Sequence, residues 1–292
     1  MSFFSVIIPT FNRAHLIRNA IEAVMLQTFT DFELIISDDG STDNTDEIIT
    51  PLLKDSRIIY IKQINKGVCA ARNFGAKHAS GKYLIFLDSD DTINENWLFD
   101  FHSIAEKDCD MAFCSMIVIS PNGIEKKTSC LNPYKKGNEK GIFNSGTWAM
   151  KRDLFFEIGQ YDEQIKYGEN TELKFRLFDK QIEFGFVDNY NFIYKESISG
   201  GSKQTANKLQ SNMHILSKHV AYFNRNPEVR ILFLQVSAVS AARLGKRKQA
   251  HELFIQAWKT NKNDLKLIIQ CLISMVPFLT KMIWKPIVTN IQ

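Results

Sequence analysis

Apolar and polar positions alternate with two different periods along the first hundred residues. Short apolar runs with the composition of buried β-strands lie at residues 4–8, 33–37, 57–61 and 83–87. Between these runs, apolar residues recur at helical spacing and predict helices over residues 16–24, 43–53 and 68–78. Strands that alternate with helices predict an α/β fold, with a mostly parallel sheet flanked by helices.

The pattern becomes less regular after residue 110. Longer strands on either side of Pro121-Asn122-Gly123 predict a hairpin beside the sheet. A helix over residues 170–179 and a strand over residues 183–187 are predicted to complete this part of the chain. From residue 203 onward the pattern predicts helices only.

Charge divides the chain at nearly the same place. Residues 1–200 contain 22 Lys and Arg against 29 Asp and Glu, whereas residues 201–292 contain 14 against 3. Two charge regimes indicate two regions. We therefore predict an α/β domain over residues 1–202, with halves of about 1–92 and 93–202, and an α-helical C-terminal region over residues 203–292.

The basic C-terminal region permits more than one interpretation. Its apolar stretches are interrupted by Pro277 and flanked by Lys266, Lys281 and Lys285, with Trp284 at one edge. Basic amphipathic helices of this kind are typical of binding to an anionic membrane surface. A helical bundle packed on the first domain, or a homodimer formed through these helices, explains the same apolar residues. Nucleic-acid binding is not expected, because no DNA- or RNA-binding motif accompanies the charge.

Cysteine usage and the N-terminal sequence bear on the compartment. The five cysteines are odd in number and contain no CxxC pair, so neither a disulfide framework nor a zinc site is predicted. The first strand begins at residue 3 or 4, and no secretory signal is predicted. No charge-free apolar run reaches 18 residues, so no membrane-spanning helix is expected. A cytoplasmic location fits these observations. The basic C-terminal region adds the option of peripheral attachment to the inner face of the cell membrane.

Polar clusters follow each of the four predicted strands. In a parallel sheet the carboxyl ends of the strands lie along one edge, where ligands bind. These clusters are Pro9-Thr10-Phe11-Asn12-Arg13, Asp38-Asp39-Gly40-Ser41, Asn65-Lys66-Gly67 and Asp88-Ser89-Asp90-Asp91.

Carboxylates crowd at the end of the fourth strand, in "LIFLDSDDT". Neighbouring carboxylates raise each other's pKa unless a cation compensates. Aspartate oxygens without nearby His or Cys favour Mg²⁺ or Mn²⁺, so Asp88 and Asp90 are predicted metal ligands. A solvated acidic turn is one alternative. Another is a haloacid-dehalogenase-like phosphatase, whose D-x-D-x-T motif "DSDDT" matches, with Asp88 as nucleophile. That family places the motif on its first strand and needs a later acidic pair, and neither is found here.

Four stretches resemble glycosyltransferase family 2: "SVIIPTFNR", "QTFTDFELIISDDGSTDNT", "NKGVCAARNFGAKHASGKYLIFLDSDD" and "GENTELKFR". Their order and spacing match the family as well as their letters do, and the similarity covers residues 2–200. The resemblance implies a Rossmann-like GT-A fold and an inverting glycosyltransferase of the bacterial cell-surface polysaccharide type. It further implies a UDP-sugar donor bound by the first half of the domain, and a glycan or lipid-linked glycan acceptor bound by the second.

The same resemblance implies roles for the polar clusters. It gives Asp39 a hydrogen bond from the base imide, supported by Asp38, for which a plain turn residue is the alternative. It gives Asp90 the metal contact and Asp88 the sugar or ribose hydroxyls. The remaining donor contacts fall on Pro9, Thr10, Asn12 and Arg13 around the nucleotide and on Lys66, Gly67 and Arg72 near ribose or phosphate. For Arg72 a surface salt bridge is the alternative.

Inverting transfer also needs a base that removes the acceptor hydroxyl proton. Relatives commonly have Glu-Asp where this chain has Glu169-Asn170, and in several of them the second residue is the base. An amide cannot accept the proton, so the resemblance fails at Asn170. Glu169 is the preferred substitute and Glu172, one turn later, is the alternative. A non-catalytic homologue that only binds nucleotide sugars is the third interpretation.

The acceptor pocket of the family falls on "NSGTWAMKR", residues 144–152. Gly146, Thr147 and Trp148 are therefore predicted to line it, with Trp148 stacking on a sugar face. Ordinary core packing of Trp148 is the alternative.

Overall fold

A computed structural model describes residues 2–129, 143–177, 180–196 and 204–285. The chain forms two compact units. The first comprises Met1–Glu163 and Glu169–Ile198, and the second comprises Gln164–Gly168 and Ser199–Gln292. The boundary expected at residues 202 and 203 lies outside the described residues.

The first unit is built on one sheet, with nine strands in the part of the chain described. The strands are β1 (Phe4–Thr10), β2 (Phe32–Asp38), β3 (Ile58–Lys62), β4 (Tyr83–Phe86), β5 (Thr92–Ile93), β6 (Met111–Ile119), β7 (Glu125–Thr128), β8 (Trp148–Lys151) and β9 (Phe184–Lys195). Their spatial order is β3-β2-β1-β4-β8-β6-β9-β5, with β7 paired to β6. The two halves expected on either side of residue 92 therefore share this sheet.

Strand direction divides the sheet. Strands β3, β2, β1 and β4 are parallel neighbours, as the alternating pattern predicts. Beyond β4 the sheet is mixed, because β8 runs antiparallel to both β4 and β6, whereas β9 runs parallel to β6. The β6–β7 hairpin, whose turn contains Gly123 with φ +80°, confirms the hairpin expected there.

Six helices of the first unit flank the sheet within the described residues: α1 (Ala14–Met25), α2 (Thr45–Ile49), α3 (Val68–His78), α4 (Trp97–Ala105), α5 (Arg152–Glu157) and α6 (Glu169–Leu177). The helix expected over residues 43–53 is α2 followed by a 3₁₀ helix, Thr50–Lys54, with Pro51 near its start. Proline lacks the N–H that would continue the α-helical hydrogen bonds, which explains the change.

Alternating side chains of the central strands fill two cores, one on each face of the sheet. Val6 and Ile8 pack on the face that also receives Ile17 and Val24 of α1. Ile7 packs on the opposite face, with residues of α3 and α6. Burial on both faces explains why the strands are continuous apolar runs.

The second unit is helical throughout the described residues 204–285. Its helices are α7 (Thr205–Lys218), α8 (Val220–Arg225), α9 (Pro227–Arg243), α10 (Arg247–Thr260), α11 (Leu265–Met275) and α12 (Pro277–Ile283). Leu234, Phe254 and Leu267 belong to its core. Trp284 was expected at an exposed edge, but its ring stacks on Phe254 with centroids 4.8 Å apart, so it belongs to the same core.

Hydropathy bears on whether any helix of the described residues could cross a membrane. None of them alone has the length and apolar composition needed to cross a membrane. The pair α11 and α12 meets both criteria when taken together, but the two helices are bent by 116° at Val276.

Candidate functional site

The polar clusters meet where the order of the parallel strands reverses. The chain passes from β1 to β2 to β3 on one side, and then returns to place β4 on the other side of β1. The carboxyl ends of two such strands are the usual ligand site of an open α/β sheet. In this sheet they are Thr10 of β1 and Phe86 of β4.

Asn12 joins the loops that follow β1 and β2. Its backbone φ of +52° is a left-handed value that asparagine tolerates better than most residues. The Asn12 N–H donates to Ser41 Oγ at 2.9 Å, and Asn12 Oδ1 accepts from the Thr42 N–H at 2.8 Å. Ser41 Oγ in turn donates to Asp38 Oδ1 at 2.7 Å. The two loops therefore form one hydrogen-bonded rim.

The other predicted nucleotide residues of the β1 loop differ in exposure. Pro9 and Thr10 are buried, whereas Arg13 is exposed. Thr10 Oγ1 is one of the buried polar atoms that lack a hydrogen-bond partner in the described structure. An unsatisfied buried hydroxyl at a strand end is suited to meet a ligand.

Asp38 is fully buried and does more than form a turn. The Tyr60 hydroxyl lies 2.7 Å from Asp38 Oδ2 and also contacts Asp46. Lys62 Nζ donates to Asp46 Oδ2 at 2.8 Å and lies 3.7 Å from Asp38 Oδ2. Burial, followed by these carboxylates, raises the pKa of Tyr60, which therefore stays protonated and donates. Asp38 thus ties β2 to β3 beneath the rim.

Asp39 organises the loop that precedes α3. Its carboxylate accepts from Gln63 Nε2 at 2.7 Å, from the Lys66 N–H at 2.9 Å and from the Gly67 N–H at 2.7 Å. Gly67 has a φ of +97°, and a Cβ there would meet no atom within 4 Å. Glycine is therefore needed at this position for its backbone conformation and not because space is limited. Lys66 is exposed beside it.

Arg72 connects the two carboxylates expected on the donor and acceptor sides. Its side chain is 2% exposed, Nη2 donates to Asp88 Oδ1 at 2.6 Å, and Nη1 donates to Glu169 Oε1 at 2.9 Å. The guanidinium carbon also lies 5.3 Å from the ring centroid of Tyr161. The surface salt bridge considered as an alternative is excluded, because the arginine is buried.

Three carboxylates occupy the turn after β4. Burial, and then the Asp88 carboxylate, raises the pKa of Asp90, although the Asp90 side chain reaches the surface. Burial, and then Asp88 and Asp90, raises the pKa of Asp91 well above its usual range. Carboxylate oxygens under mutual repulsion fit a hard divalent cation. No group of three or more His, Cys, Asp or Glu side chains suited to a metal ion occurs among the described residues.

The predicted acceptor residues are not at a surface. Trp148 is fully buried, with its ring stacked on Phe143 at 5.3 Å, so core packing replaces the sugar-stacking role. Thr147 is buried in a turn in which its N–H and hydroxyl donate to the Asn144 carbonyl. Gly146 is buried with φ +81°, and a Cβ there would lie 2.1 Å from Phe192. All three residues are structural.

The candidate bases also differ in access. Glu169 is 18% exposed and begins α6. Glu172 is fully buried and accepts from Arg176 Nη2 at 2.8 Å and Nε at 3.1 Å, so it is not placed to reach an acceptor hydroxyl. Asn170 Oδ1 accepts from the Tyr161 hydroxyl at 2.8 Å. Of the two glutamates proposed from sequence, the structure brings only Glu169 to the site.

Two tyrosines that sequence reasoning missed belong to this network. Tyr60 supports Asp38, and Tyr161 contacts both Arg72 and Asn170. Tyr60 could have been identified from the sequence, because it is a polar side chain within an otherwise apolar strand. Tyr161 could not have been identified from the sequence, because its contact with Arg72 joins distant segments and its hydrogen bond to Asn170 depends on how the loop before α6 folds.

The fold and these loops define an open α/β protein whose polar residues gather at the switch point of its sheet. Residues 5–159 match Glycosyl transferase family 2, and the chain belongs to this family. The phosphatase interpretation of "DSDDT" is therefore wrong.

Curated relatives extend beyond this chain. An uncharacterized glycosyltransferase of Rickettsia felis is 30% identical over 315 residues, covering 99% of this chain and 48% of the relative. The minor teichoic acid biosynthesis protein GgaB of Bacillus subtilis is 29% identical over 252 residues, covering 80% of this chain and 28% of the relative. The chain thus spans about half the length of the Rickettsia relative.

Solved structures establish the fold. The crystal structure of S. aureus TarS 1–349 in complex with UDP-GlcNAc has a TM-score of 0.66 and 19% identity, covering 96% of this chain and 87% of that chain. The TarS 1–349 complex with UDP has a TM-score of 0.60 and 17% identity, covering 94% of this chain and 90% of that chain. The GT-A type of fold predicted from the sequence is confirmed.

Proposed function

We propose that the protein is a metal-dependent inverting glycosyltransferase that moves a sugar from a UDP-sugar to a hydroxyl of a glycan or lipid-linked glycan. The observation that carries the proposal is Arg72, buried between Asp88 and Glu169 at the switch point of the sheet. Family membership supports sugar transfer. The UDP-GlcNAc complex of TarS supports a UDP-sugar donor, and the name of GgaB supports a cell-surface polymer as the product class.

The donor is held by the loops that follow β1 and β2 and by the loop before α3. Asn12 and Asp38 fix the rim, and Asp39 fixes the backbone around Lys66 and Gly67. The exposed Arg13 and Lys66 supply positive charge for phosphate oxygens. Asp39 has the further role of accepting from the base imide, which suits uracil.

Asp90 and Asp88 would hold the divalent cation. When bound, Mn²⁺ or Mg²⁺ supplies charge neutralisation to the departing diphosphate. Burial, and then the Asp88 carboxylate, raises the pKa of Asp90, and a divalent cation bound there would favour its charged form. Mg²⁺ and Mn²⁺ commonly take phosphate oxygens of a substrate as ligands, so two carboxylates would suffice as the protein's contribution.

Transfer requires that a bond form to the acceptor as the bond to the donor breaks. Glu169 accepts the proton of the acceptor hydroxyl, and the freed oxygen attacks the anomeric carbon of the sugar. The bond from this carbon to the diphosphate oxygen breaks on the opposite side, and its electron pair leaves with UDP. Attack from the face opposite the leaving group inverts the configuration at this carbon.

Arg72 is a positioning residue in this scheme. Its two nitrogens hold Asp88 and Glu169 at fixed separation, so the donor hydroxyls and the base keep one geometry. Such positioning matters because small displacements of a reacting group cost large factors in rate.

The cellular setting is part of the proposal. The odd number of cysteines and the lack of a CxxC pair support a reducing compartment, and we place the reaction in the cytoplasm.

A nucleotide-sugar-binding homologue without transfer activity is the second candidate. Asn170 favours it, since this residue is an amide whose oxygen is already engaged by the Tyr161 hydroxyl. Both candidates bind donor, but they differ in turnover.

Release of UDP from a panel of UDP-sugars, with and without Mn²⁺ or Mg²⁺, tests the proposal. We expect slow donor hydrolysis that needs metal and that an added hydroxyl acceptor accelerates. Asp90→Asn is expected to lower the rate about a hundredfold or more. Glu169→Gln is expected to lower transfer to the acceptor by a similar factor while donor binding is retained. Asp153→Asn, which removes an aspartate that is 99% exposed, is the control and should keep the full rate.

Tight donor binding without turnover under any acceptor contradicts the enzyme and supports the binding homologue. Binding is measured as a rise in melting temperature with UDP and metal, since a ligand that binds only the folded state stabilises it. Full transfer activity in Glu169→Gln would show that another group is the base.

A further inference from the structure

The last two helices of the second unit leave a wide apolar surface exposed. Eight large apolar side chains within residues 265–283 are between 43% and 72% exposed: Leu265, Ile269, Leu272, Met275, Val276, Phe278, Met282 and Ile283. We call these residues the apolar face. Elsewhere in the described part of the second unit, exposed large apolar residues are limited to Val220 and Leu232. A cluster of exposed large apolar side chains on neighbouring helices is typical of an interaction site.

Helix α11 is apolar on two opposite sides. Leu265, Ile269 and Leu272 follow one another at intervals of four and three residues and form an exposed stripe. Leu267 and Ser274, half a turn away, are buried in the unit. The inner side of α11 packs in the core of the unit, whereas the apolar stripe on its outer side is exposed and suited to bind a partner.

Charge around the apolar face identifies that partner. Residues 259–285 contain five lysines and one acid, Asp264. The lysines Lys259, Lys262, Lys266, Lys281 and Lys285 are all exposed. Asp264 caps α11, with its carboxylate accepting from the Lys266 N–H at 2.9 Å. An apolar surface bordered by cations is complementary to a lipid surface that carries anionic headgroups.

A homodimer fits the same surface less well. A symmetric dimer places the same patch on both subunits. Two copies of the apolar face would bring both sets of lysines together with only Asp264 from each copy to offset them. An anionic bilayer offers hydrocarbon to the apolar side chains and negative charge to the lysines at once.

We propose that the apolar face docks on the surface of an anionic membrane, with the side chains of α11 and α12 entering the headgroup region and the lysines contacting lipid phosphates. The bend of 116° between the helices gives two short segments that lie along an interface rather than one that crosses it. The proposal does not depend on sugar transfer, because it rests on the second unit alone.

Co-sedimentation of the full chain with vesicles tests the proposal. Vesicles of phosphatidylcholine are compared with vesicles that also contain phosphatidylglycerol, each at low and high salt. We expect binding to the anionic vesicles at low salt and a marked loss at high salt, because salt screens the lysines.

Two pairs of variants separate the contributions. Leu272→Gln with Phe278→Gln is expected to lower binding to anionic vesicles about tenfold or more, because two apolar contacts with lipid are lost. Leu232→Gln removes an exposed leucine of α9 and is the control. Lys266→Gln with Lys281→Gln should also lower binding about tenfold or more, at about fivefold per lysine. Arg247→Gln with Lys248→Gln removes the same charge from the exposed start of α10 and should change binding little.

Several results would overturn the proposal. One is an absence of binding to either kind of vesicle. Another is equal loss in the Lys266/Lys281 and Arg247/Lys248 variants, which would indicate unspecific attraction. A third is a dimer in light scattering that the Leu272/Phe278 variant converts to monomer, since a second copy would then occupy the apolar face.

Discussion

At the residue scale, chemistry depends on which side chains meet. Arg72 occupies a helix next to several small residues, and nothing in its neighbourhood reveals that its partners are Asp88 and Glu169. The latter lies 97 residues away in the sequence. The site is therefore built by contacts between distant segments, although each segment carries a recognisable polar cluster.

Arg72→Lys tests this residue. A lysine has one ammonium group and cannot reproduce the fixed geometry in which two nitrogens of a planar group contact Asp88 at 2.6 Å and Glu169 at 2.9 Å. We expect the rate of sugar transfer to fall about tenfold or more, with unfolding free energy lower by about 1–3 kcal/mol. Donor assays and urea unfolding measure the two effects.

Arg57→Lys is the matched control. Arg57 also forms a two-point ion pair, with Asp55 at 2.9 Å, but this pair is partly exposed. Exposed ion pairs contribute less than about 1 kcal/mol to the free energy of unfolding, so Arg57→Lys should change stability little. Equal effects in the two variants would show that Arg72 has no special role in the site.

Gly146 was proposed for the acceptor pocket, and its surroundings predict a large effect on stability instead. A Cβ at this position would lie 2.1 Å from Phe192, in a backbone with φ +81°. We expect Gly146→Ala to lower the free energy of unfolding by about 3 kcal/mol, from overpacking and backbone strain together. Gly123 has a similar φ of +80°, but a Cβ there would meet no atom within 4 Å. We expect Gly123→Ala to lower the free energy of unfolding by only about 1 kcal/mol. Similar losses in urea unfolding would contradict the packing argument.

At the element scale, sequence periodicity located the helices and strands of the described residues better than it located their ends. β1 continues two residues past the apolar run to Thr10, and β2 reaches Asp38, because backbone pairing with neighbouring strands extends into polar residues. β9 runs to Lys195, eight residues past the end predicted at residue 187. Residues 184–187 and 192–195 both pair with β6, and the polar residues 188–191 between them lie at a shift in register, so the apolar pattern of the strand is interrupted there.

The contacts between α2 and β3 make the stability of the protein depend on pH. Hydrogen bonds from Lys62 and Tyr60 lower the pKa of Asp46 below its ordinary value of 3.8. A carboxyl whose pKa is lower when folded stabilises the protein above the ordinary value, and this stabilisation is lost as the pH falls through the folded pKa. Since Asp46 is half exposed, the effect is at most about 1 kcal/mol.

Asp46→Asn should therefore lower the melting temperature most near neutral pH. The difference from the native protein should shrink as the pH falls below about 4. Glu47→Gln, which removes the next carboxylate of the same helix, is the control. A difference between Asp46→Asn and the native protein that stays constant down to pH 3 would contradict the role of the Asp46 carboxylate.

At the scale of the whole molecule, the chain has two units with opposite charge and separate cores. The cores of the first unit draw on both faces of the sheet. The core of the second comes from residues between Leu209 and Trp284. The change in charge near residue 200 thus accompanies a change from a sheet with two cores to a helical core, and the exact boundary at residues 202 and 203 stays a prediction.

Phe254→Ala tests the separateness of the cores. Phe254 is fully buried and stacks on Trp284, so its truncation should cost the second unit about 3–5 kcal/mol. Hydrogen exchange measured by mass spectrometry should show faster exchange in α9 and α10. Exchange in β1 and β2 should stay unchanged, and equal acceleration there would contradict separate cores.

The sequence by itself determined the alternation of strands and helices, the parallel half of the sheet and the polar clusters at its edge. Periodicity reports local burial, and a parallel sheet gathers its strand ends along one edge. Only the tertiary structure decided that Glu169 faces the site while Glu172 and Trp148 are buried. Residues a turn apart on one helix carry the same local signal, and packing against distant segments selects which of them meets the ligand.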